Sequence, residues 1–202
     1  MNYVAHQFLS FQNPKIQLGN LYGDIVRGNH YENYQGFIKT GILLHREIDS
    51  FTDNHPATKR STQIFHKRFS KFSPVIVDVV YDYILIKNWN KFSDLDFDTF
   101  TNDCYDLFQN HLAEFPEKLH FIIQHLLKHD WFRNYQSLEG IQQTLKGISQ
   151  RSKFPNEIYL ATEEIEEHYT KLENDFLEFF PEIIQHCQNF IQEQISEFNR
   201  IL

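Results

Sequence analysis

The residues able to do chemistry cluster in the first half of the chain. His45 and Asp49 are four apart, Asp78 and Asp82 are four apart, and His6 and Asp24 precede them. Residues at that spacing stack on one stripe of an α-helix, so each pair can converge on a single atom. Carboxylates accompanied by one or two imidazoles suit Mn²⁺, Mg²⁺ or Fe²⁺ better than a structural zinc, which favours cysteine thiolates. A divalent cation at such a place lowers the pKa of a water and stabilises charge on an oxyanion, which is the chemistry of hydrolysis. The competing reading is structural, with the same acids paired to Arg27 or Arg46 in the interior. The acids outnumber the bases near them and a histidine accompanies them, which favours the cation.

These side chains need helices to hold them. Apolar residues recur mostly at three and four, and strand-type alternation is weak. The expected fold is therefore all-α, a single-domain helical bundle of about eight or nine helices over residues 1–202. Helices are predicted at 17–28, 35–53, 57–70, 74–90, 97–113, 116–131, 135–149, 156–179 and 181–200. Pro56, Pro74, Pro116, Pro155 and Pro181 stand where new helices would begin, with Ser73 as an N-cap before Pro74. In the second of these helices Phe37, Ile38, Gly41, Ile42, Ile48 and Thr52 define an inward arc that contains His45 and Asp49. The segment from Pro74 to Ile86 is apolar nearly all round and carries charge only at Asp78 and Asp82, which predicts a helix buried on most sides. In the first helix Asp24 borders the apolar side marked by Leu18, Leu21, Tyr22 and Ile25, with Asn20 and Arg27 further round. Three helices would thus bring carboxylates to one interior place. Asp53 and His55 lie at a helix boundary, where capping explains them as well as chemistry does.

Composition narrows the field further. The net charge of -8 argues against a nonspecific nucleic-acid binder. The opening residues have no basic segment followed by an apolar run, and no later run is long enough to span a bilayer, so a cytoplasmic protein without membrane contact is expected. Cys104 and Cys187 form no CxxC pair and read as reduced packing residues. Phe176, Phe179, Phe180 and Phe190 read as core. Charge is unevenly spread: Asn54 to Val77 contains Lys59, Arg60, Lys67, Arg68 and Lys71 and no acid, whereas Glu157 to Glu182 is rich in Glu. The basic segment is a candidate docking face for an acidic protein, with ordinary solvated helix charge as the alternative.

Three runs carry a resemblance to a known family: Met1-Asn2-Tyr3-Val4-Ala5-His6, Gly19 through Gly28, and Gly41 through Pro56. With Val77-Asp78-Val79-Val80-Tyr81-Asp82-Tyr83 and Asn88-Trp89 they resemble the acyl-carrier-protein phosphodiesterases in order and spacing. Weaker similarity continues through Trp131 and Tyr135, Gly147 and Arg151, and His168 to Glu173. The resemblance implies a helical fold distantly similar to the HD phosphohydrolases and a Mn²⁺-dependent hydrolase acting on holo-acyl carrier protein. That reaction would split the phosphodiester joining 4′-phosphopantetheine to the carrier serine. By position it implies Asp24, His45, Asp49, Asp78 and Asp82 as metal and catalytic residues, with His6 next. Arg27 or Arg46 would clamp phosphate, and a spare carboxylate or His55 would act as general acid or base. Here His45 and Asp49 are separated by three residues, whereas the HD signature has them adjacent, so ligands are not transferable one by one from HD enzymes. Two other functions fit the same residues: an HD-like hydrolase of a nucleotide or another small phosphodiester, and a non-catalytic carrier-protein binding module.

Overall fold

The computed structural model describes residues 1–201, with side chains as far as Ser196, and every regular element among them is helical. The α-helices are α1 (Tyr3–Phe8), α2 (Pro14–Gly23), α3 (Gly36–Asn54), α4 (Pro56–Phe69), α5 (Ser73–Lys87), α6 (Phe97–Asn110), α7 (Glu117–Lys128), α8 (Trp131–Asn134), α9 (Leu138–Arg151) and α10 (Thr162–Ile201). The all-α expectation holds, and α3 to α7 begin and end within a few residues of the predicted bounds.

The exceptions have physical causes. The predicted helix over 17–28 starts earlier and stops earlier. Asn13 accepts from the amides of Lys15 and Ile16 ahead of Pro14, which starts α2, and the chain leaves the helix after Gly23 into a loop in which Gly28 takes φ of 55°, as does Gly36 where α3 begins. Asp24 is therefore the C-cap of α2 and not an interior helical residue. Ser73 is the first residue of α5 and does not cap it; its hydroxyl donates to the Ser70 carbonyl at 2.7 Å. Pro155 starts no α-helix, because residues 152–157 are irregular and a 3-10 turn at Ile158–Ala161 leads into α10. Pro181 does not divide the last helix either; it lies inside α10 on the exposed side. An interior proline costs about 3 kcal/mol. On the opposite face Phe176, Phe179, Phe180, Ile183 and Cys187 are fully buried on both sides of it, and each large apolar side chain contributes roughly 1.5–3 kcal/mol. Packing wins.

The central element is α5, buried from Ser73 to Ile86 except at Pro74, Val75 and Asp78, as its all-round apolar sequence predicts. Around it Phe65, Phe108, Phe132, Tyr135, Phe176, Phe179 and Phe180 form with its own Tyr81 a single aromatic-rich core, with Phe190 packed partly buried against it. Cys104 and Cys187 are free, buried thiols whose pKa values burial pushes up. Among the described residues no helix is long and apolar enough to cross a membrane.

Two contacts position the N-terminal part of the fold. First, α2 and α3 touch backbone to backbone. A Cβ on Gly19 would collide with the Ile38 carbonyl and lie 2.9 Å from Gly41 Cα; one on Gly41 would collide with the Ile16 carbonyl; one on Gly23 would collide with His45 Cβ. Second, α1 begins on a carboxylate from another helix. Asp82 of α5, fully buried, accepts from the amides of Asn2 (3.2 Å), Val4 (2.8 Å) and Ala5 (3.3 Å). Asn2 makes no cap bond with its own side chain, which instead donates to the Tyr135 hydroxyl at 3.1 Å. Burial raises the pKa of Asp82 to about 6, opposed by the N-terminal ammonium and by the amides of Val4 and Ala5.

Gly41→Ala forces the two backbones apart and lowers unfolding stability by about 1–3 kcal/mol, read from the urea midpoint. Asp82→Ala leaves three amides at the start of α1 without their acceptor, at roughly 1–3 kcal/mol for each buried donor. Its urea midpoint falls further than that of Asp82→Asn, which keeps one acceptor oxygen. Equal midpoints for Asp82→Ala and the parent would remove the carboxylate from the account of how α1 forms.

Candidate metal centre

The glycine contact and the Asp82 cap together place α1 beside α2 and α3, and a cleft of about 290 Å³ opens where they meet. Its walls carry His6, Asn20, Asp24, His45, Asp49, Asp53 and Asp78, with Met1, Asn2, Tyr3, Gln7 and Leu21. At its base three side chains converge. Asp49 sets one carboxylate oxygen 3.2 Å from His6 Nε2 and the other 3.4 Å from His45 Nε2, and the donor atoms of the three all lie within 4.8 Å of one another. The two imidazole rings lie 4.3 Å apart between centroids. The histidines are nearly buried, whereas the Asp49 side chain is 49% exposed, so solvent reaches the group through the carboxylate.

The electrostatics are compatible with a cation. Burial, reinforced by charge on His6, lowers the pKa of His45 to about 3, so its ring is neutral at physiological pH. Burial would raise Asp49, but the hydrogen bond and charge from His6, with His45 and the N-terminal ammonium, hold it at about 2. The ionised Asp49 carboxylate therefore faces the Nε2 atoms of both imidazoles, one oxygen toward each. Two imidazole nitrogens and a carboxylate are the donor types that bind borderline divalent ions. Asp53 adds to the negative field: burial and the charges of Asp78 and Asp49 raise its pKa, against the ammonium.

Of the six ligands expected from sequence, the structure brings together His6, His45 and Asp49. Asp24 and Asp78 line the same cleft but have other partners. The Tyr3 hydroxyl donates to Asp24 Oδ2 at 3.4 Å, and the Met1 ammonium binds Asp78 Oδ1 at 2.8 Å. Asp82 is behind the cleft wall, its oxygens taken by the α1 amides, and does not join the three. Three elements thus bring carboxylates to one cleft, Asp24 from the end of α2, Asp49 from α3 and Asp78 from α5, but the donor atoms that converge are Asp49 and His45 of α3 with His6 of α1, while Asp82 of α5 holds the start of α1. Arg27 is exposed and donates to the Asp24 carbonyl at 3.3 Å, while Arg46 donates to the Val26 carbonyl at 3.2 Å and stacks over Tyr31. Neither pairs with the acids, so the structural alternative does not apply. His55 caps α4, its Nδ1 accepting from the Ala57 amide at 3.2 Å while Nε2 faces Glu182.

The basic segment is partly spoken for. Arg60 binds Asp175 and Glu178, and Arg68 binds Glu163 and Glu164, all on α10. Lys59, Lys67 and Lys71 are exposed, the last with its ammonium 3.4 Å from the centre of the Phe154 ring.

The residue that periodicity missed is Asn20. It faces the neighbouring helices, 1% exposed, with Oδ1 2.9 Å from His6 Nδ1 and 3.0 Å from His45 Nδ1. The available signal was its place between Gly19 and Gly23, four apart on one stripe, which marks the side of α2 where another backbone approaches.

Comparison with known proteins agrees with this picture. The acyl carrier protein phosphodiesterase family matches residues 1–183, a range that contains every cleft residue. The acyl carrier protein phosphodiesterase of Pectobacterium atrosepticum is 33% identical over 92% of this chain and 96% of its own length. That of Klebsiella pneumoniae is 30% identical over 94% and 98%, and that of Photorhabdus laumondii 29% over 94% and 96%. No solved structure matches the chain, and the expected likeness to the HD phosphohydrolases is not confirmed. The match over residues 1–183, together with a relative at 33% identity, makes this chain a member of the acyl carrier protein phosphodiesterase family.

Proposed function

We propose that the cleft hydrolyses the phosphodiester linking 4′-phosphopantetheine to the serine of holo-acyl carrier protein, giving apo-carrier protein and free 4′-phosphopantetheine. The observation that carries this reading is the convergence of His6, His45 and Asp49 at the base of an open, acid-lined cleft in a chain of this family. These three would hold a divalent cation, Mn²⁺ in the first place and Mg²⁺ or Fe²⁺ otherwise, which supplies Lewis acidity toward the phosphoryl oxygen and a nucleophile at neutral pH.

The chain's own residues do the rest. Asp24 projects into the cleft beside this group and is steadied by Tyr3, whose phenol burial keeps protonated. Its role in this reading is to take the proton of the attacking water, and proton return to the departing serine oxygen completes the cleavage. Arg27, returning to the Asp24 carbonyl at the exposed edge, offers a planar guanidinium to the incoming phosphate. Asp78 holds the Met1 ammonium at the far wall. Of the five basic residues expected to dock an acidic carrier, Lys59, Lys67 and Lys71 carry that role here, because Arg60 and Arg68 already serve α10. The reading assigns the protein to the cytoplasm, where its two buried thiols stay reduced.

Mass spectrometry of purified holo-acyl carrier protein tests the reaction. Incubation with this protein and Mn²⁺ removes the phosphopantetheine mass; EDTA or Asp49→Ala prevents it, and Asp24→Ala slows it by about 10²–10⁴-fold. An unchanged carrier mass in every sample, with metal bound, would redirect the reading to a small phosphodiester. Reversal of Lys59, Lys67 and Lys71 to Glu raises KM for the carrier several-fold in a salt-dependent way, about 0.5–1 kcal/mol for each exposed charge, with kcat retained. An unchanged KM sinks the docking face.

A further inference from the structure

We propose that Asn20 is a positioning residue that locks His6 and His45 into the same tautomer, Nδ1–H, so that both Nε2 lone pairs face the candidate metal site. The inference rests on the reading of His6, His45 and Asp49 as ligands, and deepens it. One oxygen, Asn20 Oδ1, lies 2.9 Å from His6 Nδ1 and 3.0 Å from His45 Nδ1. A carbonyl oxygen only accepts, so each of these bonds requires a proton on Nδ1. In a neutral imidazole that leaves Nε2 bare, and Nε2 is the atom each ring turns toward Asp49.

The orientation of the Asn20 amide is fixed by its other end. Nδ2 donates to the His6 carbonyl at 3.0 Å and to Ser10 Oγ at 3.1 Å, while the Ser10 hydroxyl donates to the same carbonyl at 2.9 Å. Both lone pairs of Oδ1 and both protons of Nδ2 are thereby used. Turning the amide over would set its oxygen against the His6 carbonyl and its protons toward two nitrogens that would then have to carry their own protons at Nε2. Asn20 and Ser10 are 1% and 0% exposed, so water does not compensate such an exchange. In water the Nε2–H form is the favoured neutral tautomer of imidazole; Asn20 holds both rings in the other one. It also draws the rings to 4.3 Å of each other by offering them one shared acceptor. Partners of this kind set ligand orientation and basicity at metal sites.

Long-range ¹H–¹⁵N correlation spectra of the metal-free protein at pH 8 read the tautomers directly. Wild-type protein is expected to show pyrrole-type Nδ1 and pyridine-type Nε2 for both His6 and His45. Asn20→Leu, which keeps the volume and removes the acceptor, is expected to lose that signature and to bind Mn²⁺ about 10–100-fold more weakly by electron paramagnetic resonance titration. Asn20→Asp, which keeps an acceptor oxygen, is expected to retain the tautomers. A wild-type spectrum with either ring as Nε2–H overturns the inference without any variant, as does an Asn20→Leu protein with both tautomers and Mn²⁺ affinity unchanged. Wild-type protein that holds both rings as Nδ1–H yet binds no Mn²⁺ supports the lock and overturns the metal reading instead.

Discussion

Everything at the cleft depends on how closely α2 approaches α3. At Gly19, Gly23 and Gly41 there is no room for a Cβ, and the backbones meet where other helix pairs would be held apart by side chains. Helices ordinarily pack 8–10 Å apart; the glycines let these two come closer. That approach brings Asn20 of α2 within hydrogen-bond reach of His45 of α3. The same amide also reaches His6 of α1, so one short side chain ties three helices at the point where the donor atoms converge. A methyl group at Gly23 would press on His45 itself.

The second constraint is negative charge in a confined place. Asp24, Asp49, Asp53 and Asp78 share a single cleft, and Asp82 lies just behind it. Four of the five are accommodated differently: Asp78 by the Met1 ammonium, Asp24 by a phenol, Asp82 by three backbone amides, and Asp49 by imidazoles. The Asp82 arrangement does more than neutralise a carboxylate. It starts α1, a helix too short to form alone, and so sets the position of His6. Asp82, one of the ligands expected from sequence, thus contributes through the backbone of the element that carries His6. The acid-rich α10 lies along α4 and takes up Arg60 and Arg68, which leaves Lys59 and Lys67 as exposed positive charge on α4.

Periodicity made much of this legible. The apolar spacing specified helices α3 to α7 nearly to their ends, and the inward arc of α3 singled out His45 and Asp49 without reference to any other protein. The all-round apolar run of α5 announced a central buried helix, and the phenylalanines of α10 announced core. Where local rules failed, long-range packing outweighed them: Pro181 reads as a helix start, yet the buried face formed by Phe176, Phe179, Phe180 and Ile183 carries the helix straight through it.

By itself, the sequence determined the fold class and the family, which follow from residue type and spacing, and it named all three converging residues, His45 and Asp49 from their stripe on one helix and His6 as the histidine that accompanies the acids. Tertiary structure alone decided which acids meet and which do not. Asp78 and Asp82 share a stripe in sequence, but one looks into the cleft and the other into the core, since the direction of a side chain counts only relative to the helix packed beside it. The role of Asn20 likewise has no signature in its own helix; it exists only because glycines on two segments distant in sequence allow three backbones to meet.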